Sequence, residues 1–406
     1  MSYKILYLSY DGLTDFLGQS QILPYLCGLS QKGFQITVIS AEKPTSFTQR
    51  QALIQEIVDE HRIRWVPIRY TKSPPVLSTL SDVLKMKQVA RQLYHKESFD
   101  IVHCRSYITA LVGLHLKRKK GVKFVFDMRG FWADERVEGG LWALKNQIFK
   151  LIYQYFKRME KAFLREADFT ISLTENAKTE MLSWPALADT RIQVIPCCVD
   201  TELFQKRSFG TYELTREALG IEQEALLLAY LGGIGTWYML DEMLDFFGCL
   251  LKKNPKAHFL FITSEAPDFI VSSAQQKNIP VSAITVRKAE RKEVPVFLSL
   301  VDISLFFIRP TYSKKASSPT KQGELMSMGI PVICNAGVGD TDWVIKTYQS
   351  GILVEQFTHE AYAGAIQQIN NLLALDKVPI RRGAEEFYSL QKGIESYQFV
   401  YDQLMQ

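Results

Sequence analysis

The chain has 406 residues, 47% of them hydrophobic and 22% charged, with a net charge of +5. It is too apolar for a disordered chain, too charged for a polytopic membrane protein, and long enough for two or three domains. The mild positive charge suits anionic ligands or an anionic membrane face and is weak support for nucleic-acid binding.

In the first half, short apolar runs alternate with longer amphipathic ones. Strands are expected over 4–9, 35–40, 64–68, 101–103, 123–127, 169–172 and 193–195. Helices are expected between them, over 19–31, 79–95, 109–117, 141–166 and 175–182. The alternation and the Val/Ile-rich strands predict a parallel sheet covered on both faces. The segment 196–207, with Pro196, adjacent cysteines and no period, reads as a linker. The pattern then restarts. Strands are expected over 226–231, 258–263, 281–285, 303–307 and 331–334, and helices over 240–253, 265–276, 292–299 and 321–328. The expected fold is α/β, with two Rossmann-like, doubly wound domains. The first spans 1–197, the second 198–382, and a helical tail, 383–406, packs back toward the first. Such domains bind ligands at the carboxyl ends of their strands, here facing a central cleft.

Cys27, Cys104, Cys197, Cys198, Cys249 and Cys334 form no CxxC pair, so a disulfide framework or zinc site is not expected. Asp11 interrupts the apolar start of the chain, and the charge-free run 225–240 contains three glycines. Neither reads as a secretory signal or a membrane span. The expected setting is the cytoplasm.

The stretch 309–333, RPTYSKKASSPTKQGELMSMGIPVI, carries the clearest chemistry. Ser318 and Thr320 can cap a helix whose first turn holds Pro319, which leaves the positive end of the helix dipole facing outward. Lys321 adds a cation, with Lys314 and Lys315 upstream. Glu324, one turn on, can accept two hydrogen bonds from a vicinal diol. One helix start could therefore hold a diphosphate and a ribose. An ordinary helix start binding only water has the same local pattern. A second stretch, 126–135 (FDMRGFWADE), sets Asp127, Arg129, Trp132, Asp134 and Glu135 at a strand's carboxyl end, beside Arg105 and His103. Aromatic faces next to carboxylates and Arg suit a sugar ring. A structural Asp–Arg pair with buried aromatics is the competing reading. Asp11, Asp15, Asp340 and Asp342 lie in further loops of the same kind.

SSPTKQGELMSMGIPVI resembles the donor-binding segment of retaining glycosyltransferases of family 4, which have the GT-B fold. Other segments agree in order: 20–40, FDIVHCR at 99–105, 160–177, VIPCCVDTELF at 194–204, and 228–244. The resemblance implies sugar transfer from a nucleotide-sugar, UDP- or GDP-linked, to a glycan or lipid-linked acceptor. It implies retention at the anomeric carbon, and neither a metal nor a cofactor. Carried over, Glu324 binds the ribose, and Ser318, Thr320 and Lys321 bind the diphosphate. Gly18 lets the backbone approach the leaving phosphate, with Arg309 and Lys315 as substitute cations. The residues of 126–135 by themselves suggest catalytic roles for Asp127 and Arg129, orienting the acceptor hydroxyl or the donor sugar, and acceptor contacts for Arg105, Trp132, Asp134 and Glu135. The resemblance implies a part in polysaccharide assembly.

The chain also departs from the family. Ala316 replaces a glutamate, and Gly232-Gly233 and Trp237-Tyr238 stand where the family has Arg and Lys. These departures leave open a nucleotide-sugar 2-epimerase of the same fold and a non-catalytic nucleotide-sugar-binding partner. The basic amphipathic stretch 141–166 admits peripheral contact with an anionic membrane, or simply a core helix with a solvated face.

Overall fold

A computed structural model describes residues 3–205 and 214–406. Lys206 and Arg207, the end of the expected linker, lie outside the described residues. Two compact units form. The first comprises residues up to Cys198 together with Lys315–Ser317 and Leu390–Gln406; the second comprises the described residues of Val199–Lys314 and Ser318–Ser389.

The first unit is built on seven strands: β1 (Lys4–Ser9), β2 (Gln35–Glu42), β3 (Arg64–Arg69), β4 (Ile101–Arg105), β5 (Lys123–Asp127), β6 (Phe169–Ser172) and β7 (Ile192–Val194). They pair in parallel in the order β3-β2-β1-β4-β5-β6-β7. The second unit has six: β8 (Leu227–Leu231), β9 (His258–Ile262), β10 (Ile284–Arg287), β11 (Ile303–Phe306), β12 (Val332–Asn335) and β13 (Gly351–Val354), ordered β10-β9-β8-β11-β12-β13. Both are Rossmann-like sheets whose order reverses once, at β1/β4 and at β8/β11. A crevice opens there at the strands' carboxyl ends. β4, β8, β9 and β11 are buried along their whole length, as strands covered by helices on both faces must be.

The element order follows the alternation read from the sequence, with local differences that have physical causes. The expected helix 19–31 is two helices, Phe16–Gln21 and Leu23–Gln31, broken at Ile22 because Pro24 must sit in a first turn. The expected helix 141–166 begins only at Gln147, where the Asn146 side chain accepts from the Ile148 N–H; a separate helix, Trp132–Glu138, precedes it. Val281–Ala283 is a 3₁₀ turn after Pro280, and the strand starts at Ile284. The helix Pro44–Glu60 and strand β13 had no sequence-based expectation. The helix Leu390–Met405 lies in the first unit: Ile394 packs where Gly28 leaves no Cβ, and Tyr25 and Tyr397 meet edge to face at 5.4 Å.

Candidate donor and acceptor site

In the second unit, the chain leaves β11, passes through Ile308–Pro310 and a 3₁₀ turn at Tyr312–Ala316, and enters the helix Thr320–Ser327. Asn335 at the end of β12 braces this path. Its Oδ1 accepts from the Ile308 N–H at 2.7 Å and its Nδ2 donates to the Ile308 carbonyl at 2.9 Å. The N-cap is Pro319, and no side chain caps the helix. This corrects the expected capping by Ser318 or Thr320. Proline brings no side-chain acceptor, so the positive helix end is not quenched by a cap.

Lys321, in the first turn, is buried. Its Nζ has no hydrogen-bond partner among the described residues. It lies 3.5 Å from the ring centroid of Tyr238 and 4.0 Å from that of Tyr230. Gly232, with φ +105°, turns the chain past it, and a Cβ there would come within 3.5 Å of Nζ. Burial holds the amine well below the usual lysine range, offset in part by the Glu324 carboxylate. A buried cation held only by ring faces retains its full capacity to donate hydrogen bonds to an anion. Lys314 is also buried, with Nζ 3.7 Å from the Trp237 ring centroid. Thus Trp237 and Tyr238, the aromatics in place of the family's cations, are the surfaces that hold two lysines arriving from the other side of β11. Glu324 is buried and paired with the Arg291 guanidinium, which itself lies over the Phe204 ring at 4.7 Å. Arg291, Tyr230 and Glu265, whose Oε1 accepts from the Ile234 N–H at 3.3 Å, had no sequence-based role. Arg291 sits in a charge-rich loop without period, and Tyr230 is hidden in a uniformly apolar strand.

Arg309 is exposed, and its N–H donates to the Trp237 carbonyl at 2.9 Å. Lys315 belongs to the first unit, where Nζ pairs with Glu180 at 3.0 Å and its carbonyl accepts from Thr174 Oγ1. Gly18 lies in a helix rather than the loop. A Cβ there would stand 2.1 Å from the Gly12 carbonyl oxygen, so the helix packs against its own entry loop. That loop is clamped by buried Glu42, which accepts from the Leu13 N–H at 2.7 Å and the Thr14 N–H at 3.1 Å. Gly18 is required by this packing.

The expected catalytic pair forms a buried node. Asp127, at the end of β5, is fully buried. Its Oδ2 accepts from Tyr397 Oη at 3.1 Å and lies 3.5 Å from His103 Nε2, while Arg129 Nη1 is 3.7 Å from Oδ1. Burial raises its pKa, but Arg129, His103 and Arg105 outweigh it and leave the carboxyl at about 2. Burial lowers the His103 pKa against the opposing pull of Asp127; its Nε2 faces Asp127, and its Nδ1 lies 2.6 Å from Tyr401 Oη. Arg129 adopts φ +56°, a strained left-handed conformation, and its Nη2 reaches Cys197 Sγ at 3.3 Å. The node ties the helix Leu390–Met405 to β4 and β5. Both expected catalytic residues are thus held by structural partners within the first unit.

Arg105 is likewise buried, 3.9 Å from Asp127 and 3.5 Å from Asp11. Asp134 is buried and held by Lys157 and Tyr153, each at 2.8 Å. Trp132 stacks on Tyr107 and meets Phe156 edge to face, with Arg136 over its other surface. Glu135 keeps partial exposure one position after Asp134. Packing engages Arg105, Asp134 and Trp132.

Two Rossmann-like units in tandem match the GT-B architecture. The profile described as Glycosyltransferase Family 4 matches residues 25–203, and that described as Glycosyl transferases group 1 matches residues 211–385. The chain therefore belongs to the family-4-like glycosyltransferases of the GT-B fold. Among solved structures it is similar to sucrose-phosphate synthase from Thermosynechococcus elongatus, with 16% identity, 99% of each chain covered and a TM-score of 0.74. It is also similar to HepE of Anabaena in complex with UDP and glucose, at 13% identity, 98% of this chain, 99% of that one and a TM-score of 0.70. The lipopolysaccharide outer core galactosyltransferase WaaB, in its apo form, matches at 14% identity, 98% and 99% coverage and a TM-score of 0.61. Comparison with curated protein sequences returned no match.

Proposed function

We propose that this glycosyltransferase takes its sugar from a nucleoside-diphosphate sugar, UDP- or GDP-linked, and delivers it with retention to a hydroxyl of a glycan or lipid-linked acceptor. The single observation that carries the reading is Lys321, a buried ammonium group without a hydrogen-bond partner at an uncapped helix start. Desolvating a cation is costly unless an anion repays it. A diphosphate is an anion of the right kind for a cation and a helix dipole together. Glu324, three positions on, is the acceptor for the ribose diol; it exchanges its contact with Arg291 for one with the sugar. HepE structures contain UDP, or UDP-glucose, which supports a uridine nucleotide for this chain as well.

In the reaction the bond from the anomeric carbon to the diphosphate oxygen breaks. A bond to the acceptor oxygen forms on the same face, and the acceptor proton passes to the departing phosphate. The products are a nucleoside diphosphate and a glycoside. Lys321 and the helix dipole stabilise the charge that grows on the leaving diphosphate, the work a metal ion performs elsewhere. The product enters polysaccharide or glycan assembly.

Thermal shifts with UDP-, GDP-, ADP- and CMP-sugars test the donor, because a ligand that binds only the folded state raises the melting temperature. A selective rise, lost in Glu324→Gln, followed by turnover on an acceptor panel with the α-configured donor giving an α-glycoside, is the expected result. Binding without turnover on any acceptor would instead identify a nucleotide-sugar-binding partner. Release of free sugar without an acceptor would identify an epimerase-like enzyme.

A further inference from the structure

The strand order of the first unit reverses between β1 and β4, so a ligand crevice opens at the carboxyl ends of these two strands. Asp127 and Asp134 are taken up by packing near these strand ends, but Asp11, which follows β1, is not. Ser9 Oγ accepts from the Asp11 N–H at 3.1 Å and donates to the Asp11 carbonyl at 2.7 Å, which fixes the turn. The side chain keeps 45% of its surface exposed, with Oδ2 3.5 Å from Arg105 Nε. Other aspartates of the unit close on a lysine: Asp15 on Lys43 at 2.7 Å, Asp134 on Lys157 at 2.8 Å and Asp168 on Lys117 at 2.6 Å. Asp11 stops short of such contact. Arg105 is buried, and its Nε has no hydrogen-bond partner among the described residues. Arg105 is also the N-cap of the helix Ser106–Lys120, which no side chain caps. A buried arginine thus aims an unused N–H at an exposed carboxylate, next to an open helix start.

A buried donor without an acceptor costs free energy, which a ligand oxygen lodged against both groups recovers. The carboxylate offers acceptors; Arg105 and the first-turn N–H groups offer donors. A hydroxyl both donates and accepts, so a polyol satisfies the two together. A further anion would be repelled by the Asp11 charge.

We propose that Asp11 is the hydroxyl-binding residue of a sugar site in the first unit, and that it selects a neutral, hydroxylated ring over an acidic one. Arg105 holds the carboxylate in place from behind. The inference rests on the transferase reading only in calling the bound sugar the acceptor.

Saturation-transfer NMR on the full chain tests the proposal, with the methyl glycosides of glucose, galactose and mannose as probes. The expected result is transfer to at least one of them, with the dissociation constant raised about tenfold or more in Asp11→Asn, because hydrogen bonds to a carboxylate are lost. Asp11→Glu keeps the charge one methylene further out; it is expected to fall between the two and carries the test if the Asn variant melts low. Asp15→Asn removes the same charge from the same loop and is expected to leave binding unchanged. The methyl uronide of the sugar that binds is expected to bind about tenfold more weakly, from like-charge repulsion. No transfer to any of the three glycosides in the wild type overturns the proposal, as does binding that both Asp11 variants retain. Preference for the uronide or for inorganic phosphate also overturns it and assigns the helix start to an anion. Thermal shifts with nucleotide-sugars on the same variants keep the two readings apart. A donor response without Asp11-dependent sugar binding refutes this inference alone, and the converse refutes the donor reading alone.

Discussion

The substitution Lys321→Met keeps the length and volume of the side chain while removing its charge, and so separates anion binding from folding. In the unliganded protein the lysine gives up hydration for contact with two ring faces, Tyr238 at 3.5 Å and Tyr230 at 4.0 Å. Each contact returns about 1–2 kcal/mol in a desolvated setting, against a cost of a few kcal/mol for an unpaired buried polar group. Methionine in the same place has no such cost and gains about 1 kcal/mol from sulfur–aromatic contact. The variant is therefore expected to be as stable as the wild type or more stable by about 1–2 kcal/mol, a rise of roughly 2–8 °C for a unit of this size. Donor binding moves the other way. Loss of one charge-assisted hydrogen bond, about 1.5–3 kcal/mol, weakens it by roughly 10- to 150-fold.

The two effects are read by differential scanning calorimetry and by isothermal titration with the nucleotide-sugar. Titration adds a further signature. Burial lowers the free amine's pKa and a bound diphosphate raises it again, so at a pH between the two donor binding takes up a proton. The heat then depends on the ionisation enthalpy of the buffer, and affinity falls as pH rises. The variant loses this dependence. For folding, the unfolded chain holds the lysine proton more tightly than the folded one, so the residue's contribution to stability improves as pH rises toward the ordinary lysine range. A variant that melts well below the wild type yet binds donor with unchanged affinity would refute the argument and make Lys321 a structural residue.

Further outcomes follow from the same geometry. Glu324→Gln should reduce a roughly tenfold preference for a ribonucleotide over its 2′-deoxy analogue to less than threefold, measured by competition binding, because the amide accepts more weakly from the diol than a carboxylate does. Gly18→Ala should lower the stability of the first unit by about 2–4 kcal/mol in urea titration, since the new methyl meets the Gly12 carbonyl oxygen; a normally stable but inactive variant would restore the phosphate-approach reading. Asp127, held at about 2 in the folded state, contributes stability above the ordinary carboxylate range that is lost as pH falls toward 2. That loss is about 2–3 kcal/mol for the wild type and should be absent in Asp127→Asn. The same variant should destabilise the first unit at pH 7 by about 3–5 kcal/mol, because Arg129 loses its buried partner; unchanged stability with lost turnover would return Asp127 to a catalytic role.

Much of the second unit's site was legible in the sequence. Pro319, Lys321 and Glu324 are close in the chain, so a helix start fixes their geometry locally. The acceptor reading of 126–135 fared differently. Asp127 and Arg129 present the same residue types whether they face solvent or a neighbouring helix. Their partner Tyr397 is 270 positions away, and no local period reports it. Lys315 shows the same limit at shorter range: one position after Lys314 it belongs to a different unit, paired with Glu180.

By itself, the sequence determined the alternation of strands and helices, the restart after residue 198 and the helix start at Pro319, because hydrophobic period and proline placement act within a few residues. Only the tertiary structure decided which polar groups face a ligand and which are consumed by packing. Burial and hydrogen-bond partners are set by segments that meet late in folding and lie far apart in the chain. The aromatic ring at 238 shows this best. In sequence it stands where a cation was expected, and in space it helps to hold the cation that Lys321 supplies.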